Sequence, residues 1–191
     1  MAAPKHPVAN KVKILDAASA LFLEGGVAAL SVRAIAARAG MSTIGIYSHF
    51  QGKDGLLEAL YIEGFELVST AMEVDDPNDP HGSVMAACHR YLDIADNYRA
   101  HYQLIFGDAG ADYVPSDAAH SASVAAFEQL ISFTALILPP DVTYEEKQKK
   151  ALEIWAMMHG FVSLKRHSAL RSMPAIDWRA TVVDSLEKLI R

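Results

Sequence analysis

Apolar residues recur at intervals of three and four along almost the whole chain. In the first such segment they include Ile14, Ala18 and Leu21, and the pair Gly25-Gly26 follows. This spacing predicts an amphipathic helix, and glycine ends a helix readily because it tolerates positive φ. No segment shows the sustained alternation of a half-buried strand, and no Asn-Gly or Asp-Gly turn separates two apolar runs. The pattern therefore predicts an all-α protein.

The same spacing predicts eight further helices. We expect them at about 32–39, 43–47, 53–72, 83–98, 99–106, 117–137, 144–170 and 177–190. The acidic segment 73–82 contains two prolines and is predicted to be a linker. Residues 107–115 are predicted to form a loop, and the pair Pro139-Pro140 a turn.

Residues 31–50 meet the requirements of a helix-turn-helix. Two short helices that cross in contact need a small residue at the crossing point, and Ala36 supplies it. The turn needs a backbone with positive φ, and Gly40 supplies it four residues later. Helix caps and apolar anchors complete the motif at Ser31, Ser42, Ile35, Met41 and Ile46.

Charge is distributed unevenly along the chain. The net charge is −6, but residues 1–55 carry six basic and three acidic residues, against 11 basic and 20 acidic in the remainder. A basic head on an acidic body is typical of a protein that binds a polyanion, although chance over a short window gives the same asymmetry. Apolar residues make up 51% of the chain, enough for a sizeable core. The sequence predicts a globular protein with a head that binds nucleic acid.

Location and chemistry are constrained by what the sequence lacks. One cysteine excludes an internal disulfide framework and fits a reducing compartment. No stretch has the length of a signal peptide or a membrane span, so we expect a cytoplasmic protein without membrane contact. The patterns of a nucleophile elbow, a P-loop and a dinucleotide-binding loop are missing. Asp117 with His120, and Cys88 with His89, fall short of a metal-ligand set. We therefore expect no enzymatic activity, cofactor or metal.

A resemblance to one family is carried by residues 11–61. The run IYSHFQGKDGLLEAL is similar to the segment that follows the recognition helix in the tetracycline-repressor family. Further along, YRAHYQLIFG and IWAMMHGFVSL resemble a subgroup of its ligand domains that is marked by Trp155, His159 and Gly160. The resemblance implies a helix-turn-helix domain over 1–55 and a helical domain for ligand binding and dimerisation over 56–191.

The function implied by the resemblance is that of a DNA-binding transcriptional regulator. It would be a homodimer on palindromic double-stranded operator DNA, acting as a repressor that a small, largely apolar effector releases. One DNA-binding head contacts a half-site that is too short to be found in a genome. Two heads are therefore needed, with their recognition helices about 34–36 Å apart. An activator, or a regulator that needs no ligand, is the alternative with the same fold.

The resemblance also assigns roles to residues of the head. Arg33 would reach a base edge or a phosphate, while Thr43 and Ile44 would enter the major groove. Gly45 would let the recognition helix approach the DNA closely. Phosphate contacts fall to Ser31, Ser42, Tyr47, His49 and Lys53. With Ser, Thr, Ile and Gly in the recognition helix, we expect an operator read more by shape and methyl contacts than by bidentate hydrogen bonds.

Structural alternatives stand beside several of these roles. Ser31 and Ser42 are caps in either case. Gly45 could instead pack against the second helix, Ile44 could be partly buried, and His49 could be an ordinary surface residue.

Candidate ligand and dimer residues come from the remainder of the chain. Aromatic, Met and His side chains at helical spacing suggest an apolar cavity with polar groups, although such residues more often fill a core. The ligand candidates are Phe65, Met85, His89, Tyr102, Phe106, Phe127 and His159. The last two helices are expected to form the dimer interface, with core packing as the alternative for some of their residues. Their apolar stripes comprise Trp155, Met158, Val162, Trp178, Val182, Leu186 and Leu189.

Overall fold

A computed structural model describes residues 7–107, 113–167 and 176–191 of the chain. Within these ranges the regular structure is entirely helical, which confirms the predicted all-α class. The α-helices are α1 (Pro7–Ala29), α2 (Val32–Ala39), α3 (Thr43–Phe50), α4 (Lys53–Ala71), α5 (Pro80–Asn97), α6 (Arg99–Phe106), α7 (Asp117–Thr134), α8 (Tyr144–Lys165) and α9 (Trp178–Ile190).

Several helix ends differ from the sequence prediction. Helix α3 continues to Phe50, one turn further than expected, and α5 begins inside the predicted linker, at Pro80. Proline is well tolerated in the first turn of a helix, where its missing N–H has no partner to lose. The helix predicted over 117–137 finishes as a 3-10 turn at Ala135–Ile137. Helix α8 ends at Lys165, and residues 168–170 of that prediction lie outside the described ranges.

The first helix is interrupted where the glycine pair predicts it to stop. Gly25 and Gly26 have non-helical backbone angles inside the range of α1, and Gly26 has a φ of 63°. Only the short segment that ends at Ala29 continues beyond them. The chain then turns into α2 through Leu30, which is buried.

Two compact units make up the chain. Unit 1 comprises residues 1–65 and 98–123, and unit 2 comprises residues 66–97 and 124–191. In unit 1 the first four helices share a hydrophobic core with α6, which contributes Ala100 and Leu104. The fully buried side chains at the centre of this core are Ile14, Phe22, Ile35, Ile46, Leu56 and Leu60.

In unit 2 the core is built mainly by α5, α8 and α9. Cys88 and Leu92 on α5 are buried, and α9 packs against both α5 and α8. Four residues of the predicted dimer stripes are also buried within the chain: Met158, Val162, Val182 and Leu186. Core packing, the alternative interpretation of those stripes, therefore describes these four residues. The large aliphatic side chains that α8 exposes are Leu152 and Leu164 instead.

The C-terminal end of α4 is fastened by two side chains of unit 2. The guanidinium of Arg90 donates to the Ala71 carbonyl at 2.8 Å and to the Glu73 carbonyl at 2.9 Å. Gln129 donates to the Ser69 carbonyl at 3.0 Å. Carbonyls at the end of a helix have no partner within the helix, so these bonds satisfy acceptors that would otherwise depend on water.

Candidate nucleic-acid interface

Helix α2 begins and ends as the sequence predicts. The Ser31 hydroxyl accepts a hydrogen bond from the Ala34 backbone N–H at 3.1 Å and so caps the helix. At the other end Gly40 adopts a left-handed conformation, with φ 64° and ψ 37°. Its geometry lets the Met41 N–H reach the Ala36 carbonyl at 2.9 Å, which closes the turn. Ala36 itself is buried, as the crossing of two helices requires.

Helix α3 has one face in the core and the other in solvent. Ser42 caps it by accepting from the Gly45 N–H at 3.2 Å. Ile46 and Phe50 are buried, whereas Ile44 is 78% and Tyr47 is 56% exposed. The alternative that Ile44 is partly buried is therefore wrong, since most of its side chain is accessible. A large exposed aliphatic residue on a short, firmly capped helix is suited to contact another molecule.

The fold does not require glycine at position 45. A Cβ there would lie 3.4 Å from Met41 Cε and 3.7 Å from Ser42 Oγ, which are ordinary van der Waals contacts. Neither neighbour belongs to α2, so packing against the second helix does not explain this glycine. Close approach of the recognition helix to DNA remains the prediction for it.

The α3–α4 connection is tight, and here glycine is required. Gln51 and Gly52 both have positive φ, 58° and 117°. A Cβ at Gly55, in the first turn of α4, would lie only 2.0 Å from the Phe50 carbonyl oxygen. The backbone at the start of α4 therefore packs directly against the C-terminal end of α3, and the orientation of α3 depends on this contact.

Basic side chains of the head are used in different ways. Arg33 is exposed at the start of α2. Arg38 Nη2 donates to both carboxylate oxygens of Glu24, at 2.9 Å each. The Lys53 ammonium donates to the Val27 carbonyl at 2.8 Å and is partly buried. Residues 25–53 contain no Asp or Glu, so neither α2 nor α3 carries a negative side chain.

His49 is half-buried beside Phe50, with ring centroids 6.4 Å apart. Together with Ser31, Ser42, Thr43 and Tyr47 it belongs to the α2–α3 motif, so the structure brings the predicted DNA-binding residues into one unit. Sequence reasoning missed Lys11 of α1, whose ammonium lies 5.8 Å from the centroid of the Phe50 ring. No local pattern indicated that contact, because 39 residues separate the pair.

Three of the predicted ligand residues cluster in unit 1. Phe106 packs edge-on against both Phe65 and Tyr102, with centroid distances of 5.8 and 5.2 Å. Two tyrosines that the sequence analysis did not select extend the cluster. Tyr61 lies 5.1 Å from Phe65 and 5.3 Å from Tyr113. The spacing of four between Tyr61 and Phe65 is the signal that could have identified the first of them.

The two added tyrosines are polar groups within this aromatic cluster. Burial raises the pKa of Tyr61, and the Ser123 hydroxyl that bonds to it acts in the opposite direction. Burial and then the Glu58 carboxylate raise the pKa of Tyr113. The Tyr113 hydroxyl is buried without a well-aligned hydrogen-bond partner among the described residues, although the Ser116 backbone lies close enough to lower its pKa slightly.

The other four ligand candidates belong to unit 2 and do not form one cluster. His89 is exposed, and its Nδ1 lies 3.3 Å from Arg179 Nη1. Phe127 packs against Trp155 at 5.8 Å, and Met85 is half-buried on α5. Burial lowers the pKa of His159, and the positive charge of Arg166 lowers it further. A shallow crevice in this unit is lined instead by residues such as Phe161, Trp178 and Arg166.

Among the described residues, no group of three or more His, Cys, Asp or Glu side chains is arranged to hold a metal ion. Among the same residues, no helix is both long and apolar enough to cross a membrane.

The fold and the capped two-helix motif define a helix-turn-helix protein with a C-terminal helical domain. Residues 14–60 match the family described as bacterial regulatory proteins, tetR family. Residues 84–189 match the family described as tetracyclin repressor-like, C-terminal domain. The chain therefore belongs to the tetracycline-repressor family of transcriptional regulators. The C-terminal match does not distinguish the subgroup marked by Trp155, His159 and Gly160.

Solved structures share this fold over nearly the full chain. The regulatory protein SCO4313 is 20% identical with a TM-score of 0.76, over 99% of this chain and 98% of that one. NalD, the secondary repressor of the MexAB-OprM multidrug efflux pump in Pseudomonas aeruginosa, is 20% identical with a TM-score of 0.65, over 96% and 95%. The SmeT–triclosan complex is 19% identical with a TM-score of 0.68, over 95% and 90%. A search of curated proteins returned no match.

Proposed function

We propose that this regulator is a homodimeric repressor that binds palindromic operator DNA through α2 and α3 and that a small, largely apolar ligand releases. The observation that carries the proposal is the exposed face of α3. It presents Ile44 and Tyr47 to solvent on a helix that is capped at Ser42, within a segment devoid of acidic residues. Such a surface can approach the phosphate backbone without electrostatic repulsion.

On this proposal each residue of the motif has a distinct role. Thr43 and Ile44 enter the major groove, where the isoleucine contacts a thymine methyl. Arg33 and Tyr47 bind the groove walls, and the caps at Ser31 and Ser42 place backbone N–H groups near phosphates. His49 adds a further phosphate contact. The Lys53 ammonium donates one hydrogen bond to the Val27 carbonyl, and a phosphate would bind its remaining N–H donors.

The proposed dimer uses the outer surfaces of α8 and α9. Leu152 and Leu164 are half exposed on α8 and form an inclined ridge with Ala156 and Gly160, since successive members are four residues apart. A Cβ at Gly160 would meet nothing within 4 Å, so the protomer's own packing gives no reason for a helix-interior glycine. Close packing of a partner helix would explain it. This glycine, with Trp155 and His159, also supports the proposed subgroup.

For the ligand, the aromatic cluster of unit 1 is the best-supported candidate region. Phe65, Tyr102 and Phe106 supply apolar surface there, and the Tyr113 hydroxyl is a buried donor that a polar atom of a ligand could satisfy. Met85, His89, Phe127 and His159 stay candidates without a shared cluster. Among the similar structures, SmeT was solved with triclosan, which is a small, largely apolar aromatic compound. A cytoplasmic location accords with the proposed operator binding.

Footprinting on the DNA that flanks the protein's own coding region tests the proposal. A palindromic footprint, with an association constant that falls steeply with salt concentration, is the expected result. Absence of a footprint at low salt on this DNA and on a selected random library would refute DNA binding. The alternative, an activator or a regulator without a ligand, is distinguished by thermal stabilisation with apolar compounds such as triclosan and by the loss of operator affinity they cause.

A further inference from the structure

The α3 end of the DNA-binding unit has a cation to which neither the sequence nor the family match assigns a role. Two of the basic residues that could serve the interface are engaged within the protein, Arg38 with Glu24 and Lys53 with the Val27 carbonyl. Lys11, by contrast, is exposed, and among the described residues no carboxylate lies within ion-pair distance of it.

Lys11 is also held in a defined place. Its ammonium lies 5.8 Å from the centroid of the Phe50 ring, a distance at which the π-face of an aromatic ring attracts a cation. Phe50 is the last residue of α3 and is buried, so the ring is a fixed support. The contact thus holds a positive charge beside Phe50, in the C-terminal turn of the recognition helix.

The dimensions of the major groove indicate what the Lys11 ammonium could contact. The major groove is about 12 Å wide, and a helix with its side chains is about 10–12 Å across. A helix lying in the groove therefore has phosphates along its flanks and at its ends. Arg33 and the cap at Ser42 serve the N-terminal side of the motif. Lys11 lies at the opposite end, where the Lys53 ammonium, which the resemblance assigns to a phosphate, already donates one hydrogen bond to the Val27 carbonyl.

We propose that Lys11 of α1 is a phosphate-binding residue of the operator interface, positioned by the ring of Phe50. The proposal rests on the DNA-binding function proposed above. It extends the interface beyond the helix-turn-helix to the start of α1. Because an ammonium on a phosphate carries no base preference, Lys11 contributes to affinity and to salt dependence equally on every operator sequence.

The test compares Lys11→Met with Lys13→Met in the full-length protein. Methionine keeps an apolar stem of similar length and removes the charge. Lys13 is likewise exposed on α1 but two residues away, on a different face of the helix, so it controls for net charge. Binding to the footprinted operator is measured by fluorescence anisotropy between 50 and 200 mM salt, and each variant's melting temperature is recorded.

For Lys11→Met, the slope of log association constant against log salt is expected to fall by about 0.9 for each protomer's lost phosphate contact. Lys13→Met should leave the slope unchanged, and Lys11→Arg should restore it. An unchanged slope in Lys11→Met with a lower melting temperature would overturn the proposal, because Lys11 would then only stabilise the end of α3. Equal losses in both Met variants would overturn it as well. Failure of the wild-type protein to bind would instead refute the proposed function.

Discussion

Replacing Gly45 with alanine separates the needs of the fold from those of DNA binding. The added methyl group lies 3.4 Å from Met41 Cε and 3.7 Å from Ser42 Oγ, so it fits without displacement of the backbone. Alanine is favoured over glycine inside a helix by about 0.5–1 kcal/mol, because it loses less conformational freedom on folding. The variant should therefore be as stable as the wild type or more stable, with a melting temperature higher by up to about 2–4 °C.

Operator binding should change in the opposite direction. If the α3 backbone approaches the DNA at Gly45, a methyl group there enters space that the DNA occupies. We expect the operator dissociation constant to rise at least tenfold, which corresponds to about 1.4 kcal/mol. Fluorescence anisotropy on the operator and differential scanning calorimetry on the same preparation measure the two effects side by side.

Gly40→Ala is the matched control for this experiment. A Cβ at Gly40 meets nothing within 4 Å, but the residue has a φ of 64°. Alanine in that conformation costs about 1–2 kcal/mol, so this variant should lose stability while its folded molecules keep operator affinity. Wild-type affinity in Gly45→Ala would refute close approach at this position. A clear loss of stability in the same variant would refute the interpretation of the space around it.

Three further predictions concern unit 2. Arg90→Met should lower the free energy of unfolding in urea by about 1–3 kcal/mol, because the partly buried Ala71 carbonyl loses its donor. Asp75→Asn, which removes only the exposed ion pair, should cost at most about 1 kcal/mol. The pKa of His159 is lowered in the folded state, so unfolding takes up protons and stability should fall as the pH drops below about 6.5. His159→Gln should lose part of this pH dependence between about pH 7.5 and 5.5. A variant with the same pH profile as the wild type would contradict the reasoning. Gly160→Leu should dissociate the proposed dimer in sedimentation velocity while leaving helix content intact, and an unaltered dimer would place the interface elsewhere.

The helix-turn-helix could be predicted almost residue by residue because its determinants are local. Ser31, Ser42 and Gly40 act on backbone groups within four positions of themselves, and the structure places each in the predicted conformation. The predicted ends of other helices differ from the structure by only a few residues, and these differences also have local causes. The two prolines of segment 73–82 predict a linker, whereas Pro80 starts α5, since the first turn of a helix needs no donor from it.

Contacts between distant segments were beyond sequence reasoning. Lys53 was assigned to phosphate from the motif around it, but the Val27 carbonyl that binds it lies 26 residues earlier. The apolar stripes of α8 and α9 suggested a dimer interface, yet Met158 and Leu186 are buried within the chain. A stripe reveals which face of a helix is apolar. Which partner covers that face depends on the packing of elements that the sequence pattern does not order.

Helix α4 is held by side-chain contacts near both of its ends, which bears on the proposed release from DNA. In its first turn, Gly55 packs against the Phe50 carbonyl and Lys53 donates a hydrogen bond to the Val27 carbonyl. Near its last turn, Gln129 and Arg90 donate to the Ser69 and Ala71 carbonyls. It spans 19 residues without proline, about 28 Å. Gln129 and Arg90 belong to α7 and α5, the helices that carry the ligand candidates Phe127, Met85 and His89. We propose that a ligand that moves either helix also displaces the C-terminal turn of α4, because both hydrogen bonds end on its carbonyls. Removing both anchors should weaken the response to ligand while leaving the wild-type operator affinity in its absence, because the residues that hold α3 would be untouched.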